Sequence, residues 1–306
     1  MSPPNVSPKD FFKYLSGVKS AVTAKRYAEY AAVFLKLMHS GQYQNFDQLP
    51  PGTLSDFASQ LTHKGNSPST VRVYVFAAKK YLEWVQSRGV KVTQQNRPEL
   101  PKRILKQRAV LPTDQFAAYF RQADMDLKEP LRTAVMMLPC CGLRASEIVS
   151  LKLGDIFKAD VKLQNGKTKK TLYLRLIGKG GKQRNVPLME EGVEILTGYM
   201  AGWRRRQKGS WLFPSMSESA IGEKHISDRG LRNALQSMRE SFGIDFTPHT
   251  MRRTYITLLW RRHIDLKVLA DIAGHASVQT TINHYIIMEP GDTLEAFHNA
   301  GSALTD

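Results

Sequence analysis

Only two of the 306 residues are cysteine, Cys140 and Cys141, and they are adjacent in an apolar run. Neighbouring thiols close no useful loop and match no metal-ligand spacing, so neither a disulfide framework nor a cysteine metal site is expected, and a reducing cytosol fits. No stretch approaches the roughly 18 consecutive apolar residues of a membrane span, and no signal peptide opens the chain. A membrane is therefore not among the expected partners. The G-x-x-x-x-G-K-[ST] pattern of a nucleotide-binding P-loop is also missing. Acidic side chains are scarce: 27 Asp and Glu stand against 44 Lys and Arg, a formal charge of +17. Such a balance points first to a polyanion partner, usually nucleic acid.

What is present is enough apolar residue, 42%, for a substantial core, in a length that suits one large or two ordinary domains. The charge is uneven. Residues 1–108 hold 17 basic against 6 acidic side chains, and the remainder 27 against 21. Apolar residues at helical spacing predict four helices over residues 9–97. One is short, around Phe11 to Leu15. One runs from Ser20 to about His39, with Val22, Tyr27, Tyr30, Ala31, Phe34, Leu35 and Met38 as its stripe. A third spans Thr53 to His63, and a fourth opens at Ser67-Pro68 and closes near Arg88-Gly89. Four helices in about ninety basic residues read as a bundle that clamps DNA or, on these residues alone, as a structural helical domain of unrelated use. Lys25, Arg26, Lys64, Arg72, Lys79 and Lys80 are its candidate phosphate contacts. The bounds expected are 1–97 for this domain, 98–108 for a basic, proline-containing linker and 109–306 for a second domain.

In the second domain, helices are expected from Asp114 to Gln122, from Leu127 to about Cys140 (stopped by Gly142) and from Leu143 to about Leu151. A β region follows, with strands around Val161–Leu163 and Thr171–Leu176 and Asn165-Gly166 between them. The turn Gly178-Lys179-Gly180-Gly181-Lys182 leads into Gln183–Leu188. Helix resumes from Met189 to Arg206, where Arg204-Arg205-Arg206 reads as a solvated or DNA-facing rim. Another helix spans Ser227 to Phe242, and an amphipathic piece covers Thr293 to Ala300.

The stretch from Thr247 to Tyr285 organises the rest. Thr247-Pro248 has N-cap chemistry, so His249 and Arg252 fall on one side of a first helical turn. A helix fits Leu266 to Ala273 and stops at Gly274, with His275 immediately after it. A short polar segment then leads to Tyr285. Two histidines, an arginine and a phenol are thus delivered from the ends of short elements, an arrangement suited to an anion.

This order, H-x-x-R, then G-H, then Tyr, resembles the C-terminal signature of the tyrosine recombinases, the phage-type integrases and Xer-like enzymes. Tyr285 lies ten residues after His275, where many relatives have nine. CGLRASEIVSLKLGDI resembles the first box of that family, with Arg144 as its catalytic arginine. IGKGGKQRNVPL resembles its β-hairpin, whose turn presents a catalytic lysine; by position that is Lys179, with Lys182 the neighbouring alternative. The resemblance implies a mainly α fold: the N-terminal four-helix bundle plus a mixed, mostly α catalytic domain with a small antiparallel β-sheet. It implies Tyr285 as nucleophile, Arg144 and Arg252 on the phosphate, Lys179 as acid, and His249 and His275 as donors or proton carriers. It further implies a double-stranded DNA recombination site as partner, a homotetramer on synapsed DNA, room for accessory DNA-bending proteins, and a cytoplasmic, nucleoid-associated location. No cofactor is expected, and no metal either, because His249, His275 and His284 lack a metal-site spacing. Two other functions use the same residues: a type IB-like topoisomerase, and a non-catalytic DNA-binding protein on a recombinase fold.

Overall fold

The computed structural model describes residues 6–286 apart from 41–42, 44, 103–108, 163–167, 179–180, 219–221 and 243–245. The expected amphipathic piece at Thr293–Ala300, the Asn165-Gly166 turn and Lys179 lie outside the described residues. The chain divides into two compact units, Met1–Lys106 and Gln107–Asp306.

The first unit is built from α1 (Pro8–Ser16), α2 (Ala21–Ser40), α3 (Thr53–His63) and α4 (Pro68–Ser87). Each of α1 and α4 starts with Ser-Pro: the Ser7 and Ser67 hydroxyls accept the backbone N–H of Asp10 and Thr70, and proline takes the first turn. Helix α4 packs against both α2 and α3, and α1 against α2. Phe11, Phe34, Phe57, Val75, Tyr81 and Val85 are buried between them. The apolar stripe expected on α2 needs one correction, since Val22 is 66% exposed. The buried residues are Ala24, Ala28, Ala31, Phe34 and Met38. Val22 lies two residues before Ala24, about 200° round the helix, and so faces away from the core. After α4 the backbone runs extended against its own unit: Asn96 N–H donates to the Pro51 carbonyl at 2.8 Å, and Glu99 N–H to the Ser55 hydroxyl at 3.1 Å.

The second unit opens with α5 (Phe116–Asp126), α6 (Leu131–Cys141) and the short α7 (Ala145–Val149). Strands β1 (Ile156–Lys162), β2 (Thr168–Ile177) and β3 (Gln183–Pro187) then form an antiparallel sheet in that order. Leu174 pairs with Val186, and Leu176 with Arg184. Because side chains alternate across a strand, Leu172, Leu174, Leu176 and Val186 share the buried face. Tyr173 stacks on Phe157 on the other face, 5.5 Å between ring centres. The sheet starts earlier than expected, at Ile156, since Ile156 packs on the core and Phe157 is held by Tyr173 and Arg175. Helices α8 (Glu190–Ala201), α9 (Asp228–Phe242), α10 (Pro248–Arg261), α11 (Leu266–Ala273) and α12 (Val278–Tyr285) complete the unit. Leu231, Ala234, Leu235 and Met238 of α9 point into the main core, as their spacing predicted. A smaller cluster of Tyr255, Ile256, Leu269, Ala273 and Tyr285 joins α10, α11 and α12.

One segment gains an element and one expectation is corrected. The short polar segment before Tyr285, to which the sequence assigns no element, is a helix: Ser277 caps it by accepting from Thr280 N–H, and Thr281 and Tyr285 are buried one turn apart. The Arg204-Arg205-Arg206 run is not uniformly a rim. Arg205 and Arg206 are exposed, but Arg204 is 2% exposed and donates to the carbonyls of Trp211 (2.9 Å), Gln207 (2.8 Å) and Gly209 (2.6 Å). The chain turns tightly after α8 through a largely exposed segment, and the inward-pointing Arg204 supplies the donor for the three carbonyls that line the inside of that turn. Arg204→Met removes all three bonds while keeping most of the volume, and should destabilise the protein by about 2–4 kcal/mol. Arg205→Met should stay within about 0.5 kcal/mol of the wild type. Denaturant unfolding of the two variants checks both; equal midpoints would refute the structural role of Arg204.

Candidate active site

Four helix ends build the site. Helix α10 begins at Thr247, whose hydroxyl accepts Thr250 N–H, with Pro248 in the first turn. That start places His249 exposed at the mouth and Arg252 one turn deeper, 1% exposed. Helix α6 ends on Gly142 in the left-handed region (φ 59°), two residues before Arg144. Helix α11 ends on Gly274 (φ 65°), and His275 N–H reaches back to the Ala270 carbonyl at 2.9 Å, which turns the chain sharply. Helix α12 carries Tyr285 on its last turn, with the Tyr285 carbonyl accepting from the Thr257 hydroxyl at 2.7 Å.

These ends converge on one phenol. The ring of Tyr285 is stacked with that of His275 at 4.6 Å, meets His249 edge-on at 5.2 Å, and lies 5.4 Å from the guanidinium carbon of Arg252. Arg252 donates to the carbonyls of Gly142 (2.8 Å) and Ala273, and one of its terminal nitrogens is 3.1 Å from His275 Nε2. His275 Nδ1 pairs with the Thr281 hydroxyl at 2.8 Å, so the imidazole is fixed from both sides. Arg144 is tied to Glu147: its backbone N–H and its guanidinium reach the two carboxylate oxygens at 2.9 and 2.7 Å. A terminal nitrogen of Arg144 also donates to the Gly274 carbonyl at 3.3 Å.

The electrostatics follow from crowding. Burial, and then the charge of Arg144, push the Arg252 pKa down from its usual value, while the Tyr285 phenol and the Glu147 carboxylate pull it back. A guanidinium starts so high that it stays protonated at neutral pH. For Glu147, burial works toward protonation but is outweighed by hydrogen bonds from Arg184 and from the backbone and side chain of Arg144, so the carboxyl lies below its usual value. One carboxylate thus faces three guanidinium groups, since Arg252 also approaches it at 3.8 Å. The surplus is positive, which suits a phosphate diester next to a phenol.

The sequence profile of the phage integrase family matches residues 110–290, more than half of the chain. The chain belongs to that family. Tyrosine recombinase XerD of Listeria innocua is 26% identical over 302 residues, which cover 94% of this chain and 97% of the relative. Tyrosine recombinase XerC of Proteus mirabilis is 26% identical over 269 residues, covering 86% and 82%. Among solved structures, the XerH site-specific recombinase bound to difH substrate matches with a TM-score of 0.67 at 19% identity, covering 94% of this chain and 82% of that one. A lambda integrase dimer bound to a COC′ core site matches with a TM-score of 0.65 at 16% identity, covering 92% and 97%. The mainly helical architecture with one small antiparallel sheet is the fold that these integrase-type enzymes share.

The structure therefore brings together five of the six expected catalytic residues of this family member: Arg144, His249, Arg252, His275 and Tyr285. Lys179 lies outside the described residues. The alternative Lys182 is exposed, and its carbonyl accepts Gly178 N–H at 2.8 Å, closing the base of the turn between β2 and β3. Glu147 and Arg184 at the site did not stand out as functional in the sequence. A usable signal existed for Arg184: it shares strand parity with the buried Val186, an uncommon place for a charge.

The expected DNA contacts all lie on the first unit, in different surroundings. Lys25, Arg26, Lys64 and Lys79 are exposed. Arg26 lines a cleft between α2 and the start of α4 together with Tyr27, Tyr30, Ser69 and Thr70. Lys80 is exposed and pairs with Glu83 at 2.6 Å. Arg72 is half-buried and donates to the Pro101 carbonyl at 3.0 Å, which engages it within its own unit. Among the described residues, no helix is long and apolar enough to cross a membrane, and no three His, Cys, Asp or Glu side chains gather into a metal site.

Proposed function

We propose that Tyr285 is the nucleophile of a DNA strand-exchange reaction run by the side chains around it. The family and its tyrosine recombinase relatives make this chain a site-specific DNA recombinase, and the substrate of this reading is a duplex recombination site. The observation that carries the assignment of residues is the packing of one phenol against His249, His275 and Arg252 within a single chain. The Tyr285 oxygen attacks the scissile phosphorus, a 3′-phosphotyrosyl bond forms, and the bond to the 5′ oxygen breaks. Arg144 and Arg252 fork onto the non-bridging oxygens, which gather charge in the transition state. His275, held between Arg252 and Thr281, and His249 take up the phenolic proton or donate to the phosphate. Lys179 supplies the proton to the leaving 5′ oxygen. A 5′-hydroxyl from the partner duplex then reverses the step and restores the phenol, so the bond free energy is conserved and no nucleotide is consumed. Four protomers on two sites complete recombination by two such exchanges through a Holliday junction. The first unit grips the duplex by phosphate contacts from Lys25, Arg26, Lys64, Lys79 and Lys80, with Arg72 beside them.

The test is covalent capture on duplexes nicked close to the scissile phosphate, drawn from the DNA flanking the gene. The protein should become linked to a 3′ end in buffer containing EDTA and no nucleotide. A link at a 5′ end, or cleavage only when divalent metal is restored, would overturn the mechanism.

A further inference from the structure

We infer that Arg184 is a positioning residue for strand cleavage, one guanidinium that locks three catalytic elements into a single register. The inference rests on the reading of the site above. Arg184 sits on β3 with its side chain 12% exposed, facing the core side of the sheet. Its Nε donates to the Ile272 carbonyl at 2.9 Å, within the last turn of α11. A terminal nitrogen donates to Glu147 at 2.9 Å, on the same carboxylate oxygen that accepts Arg144 N–H. The flat of the guanidinium underlies Gly274: a Cβ there would lie 2.9 Å from its Nη1 and 3.0 Å from its Cζ. The same Nη1 would be 3.7 Å from a Cβ on Gly178, where the turn bearing Lys179 begins.

Each contact leads to a different catalytic side chain. Through Glu147, Arg184 fixes the carboxylate that orients Arg144. Through Ile272 and Gly274, it sets the end of α11 from which His275 is delivered. Through β3 itself, it anchors the hairpin whose turn contains Lys179. A planar fork can join acceptors on two elements at fixed angles, which a lysine ammonium cannot do. Close packing also explains why glycine occupies position 274: the left-handed conformation and the guanidinium below it both disfavour a side chain.

The test uses the full-length protein on the nicked substrate, with DNA in excess and single-turnover cleavage timed separately from DNA affinity. Arg184→Gln should bind DNA within about threefold of wild type and cleave roughly 100-fold more slowly, the scale expected when catalytic groups drift by about an ångström. Arg184→Lys, which keeps the charge, should remain at least roughly tenfold slow. If the glutamine variant does not fold, the lysine variant decides the matter by the same two measurements. The imidazole NMR signals of His275 should shift in either variant while those of His225, whose ring packs edge-on against Trp211 at 4.8 Å rather than against Arg184, stay put, a response that a general loss of stability does not produce. Cleavage within threefold of wild type in a folded variant would overturn the inference and leave the function intact. Absence of any covalent adduct with the wild-type protein would overturn the reading of the site, and the inference with it.

Discussion

Tyr285→Phe should bind recombination-site DNA with unchanged affinity and form no covalent adduct, a loss on the order of 10⁴-fold or more in cleavage. The substitution removes one oxygen and its hydrogen bond with Arg252, and leaves the ring in place. Tyr285 is 7% exposed, and its ring belongs to the cluster formed with Tyr255, Ile256, Leu269 and Ala273. Phenylalanine keeps that packing and the ring contacts to His249 and His275, so the folded structure is preserved. Arg252 keeps its bonds to the Gly142 and Ala273 carbonyls. Circular dichroism and a binding isotherm establish the first half of the expectation, and a denaturing gel of a nicked substrate the second. An adduct formed by the variant would assign the nucleophile elsewhere.

The second large effect comes from a methyl group at Gly142. Gly142→Ala should destabilise the protein by about 2–5 kcal/mol, with cleavage falling further than the loss of folded molecules explains. Two terms add. The residue sits at φ 59°, where a side chain costs about 1–2 kcal/mol. The added Cβ would also lie 2.2 Å from a ring carbon of Tyr255, a side chain that is itself buried and cannot swing away. Relieving the clash costs about 1–3 kcal/mol. It must shift either α10 or the end of α6, and the Gly142 carbonyl is an acceptor for Arg252 at 2.8 Å. Gly198→Ala is the control, because a Cβ there meets nothing within 4 Å on an exposed helix surface. It should be neutral or stabilising by about 1 kcal/mol at most. Equal unfolding midpoints for the Gly142 and Gly198 variants would show that the left-handed stop is dispensable.

The legible parts of this protein share a cause, which is that their chemistry is local. Ser67-Pro68 and Thr247-Pro248 announce helix starts because a hydroxyl caps a neighbouring N–H and proline gives up none that is needed. Gly142 and Gly274 announce stops because only a residue without Cβ turns left-handed cheaply. Helix α12 escaped notice for the opposite reason. Its inward residues include Thr281, whose burial is made acceptable by a hydroxyl partner, His275, that no apolar periodicity reveals. Arg204 misled in the same way, since a run of three arginines reads as surface until three carbonyls are found around the first.

Residue order alone determined the family likeness, the positive charge, the mainly helical composition and the identity of the chemical groups, because each depends on residue type and on neighbours a few positions away. Tertiary structure decided which groups meet. Arg144 and Gly274 are 130 residues apart and joined by a hydrogen bond, and Arg184 reaches Glu147 across 37. Such pairings are set by how helices and a sheet pack around a shared core, and a carboxylate or a guanidinium acquires its role only when that packing removes water and leaves it a fixed partner.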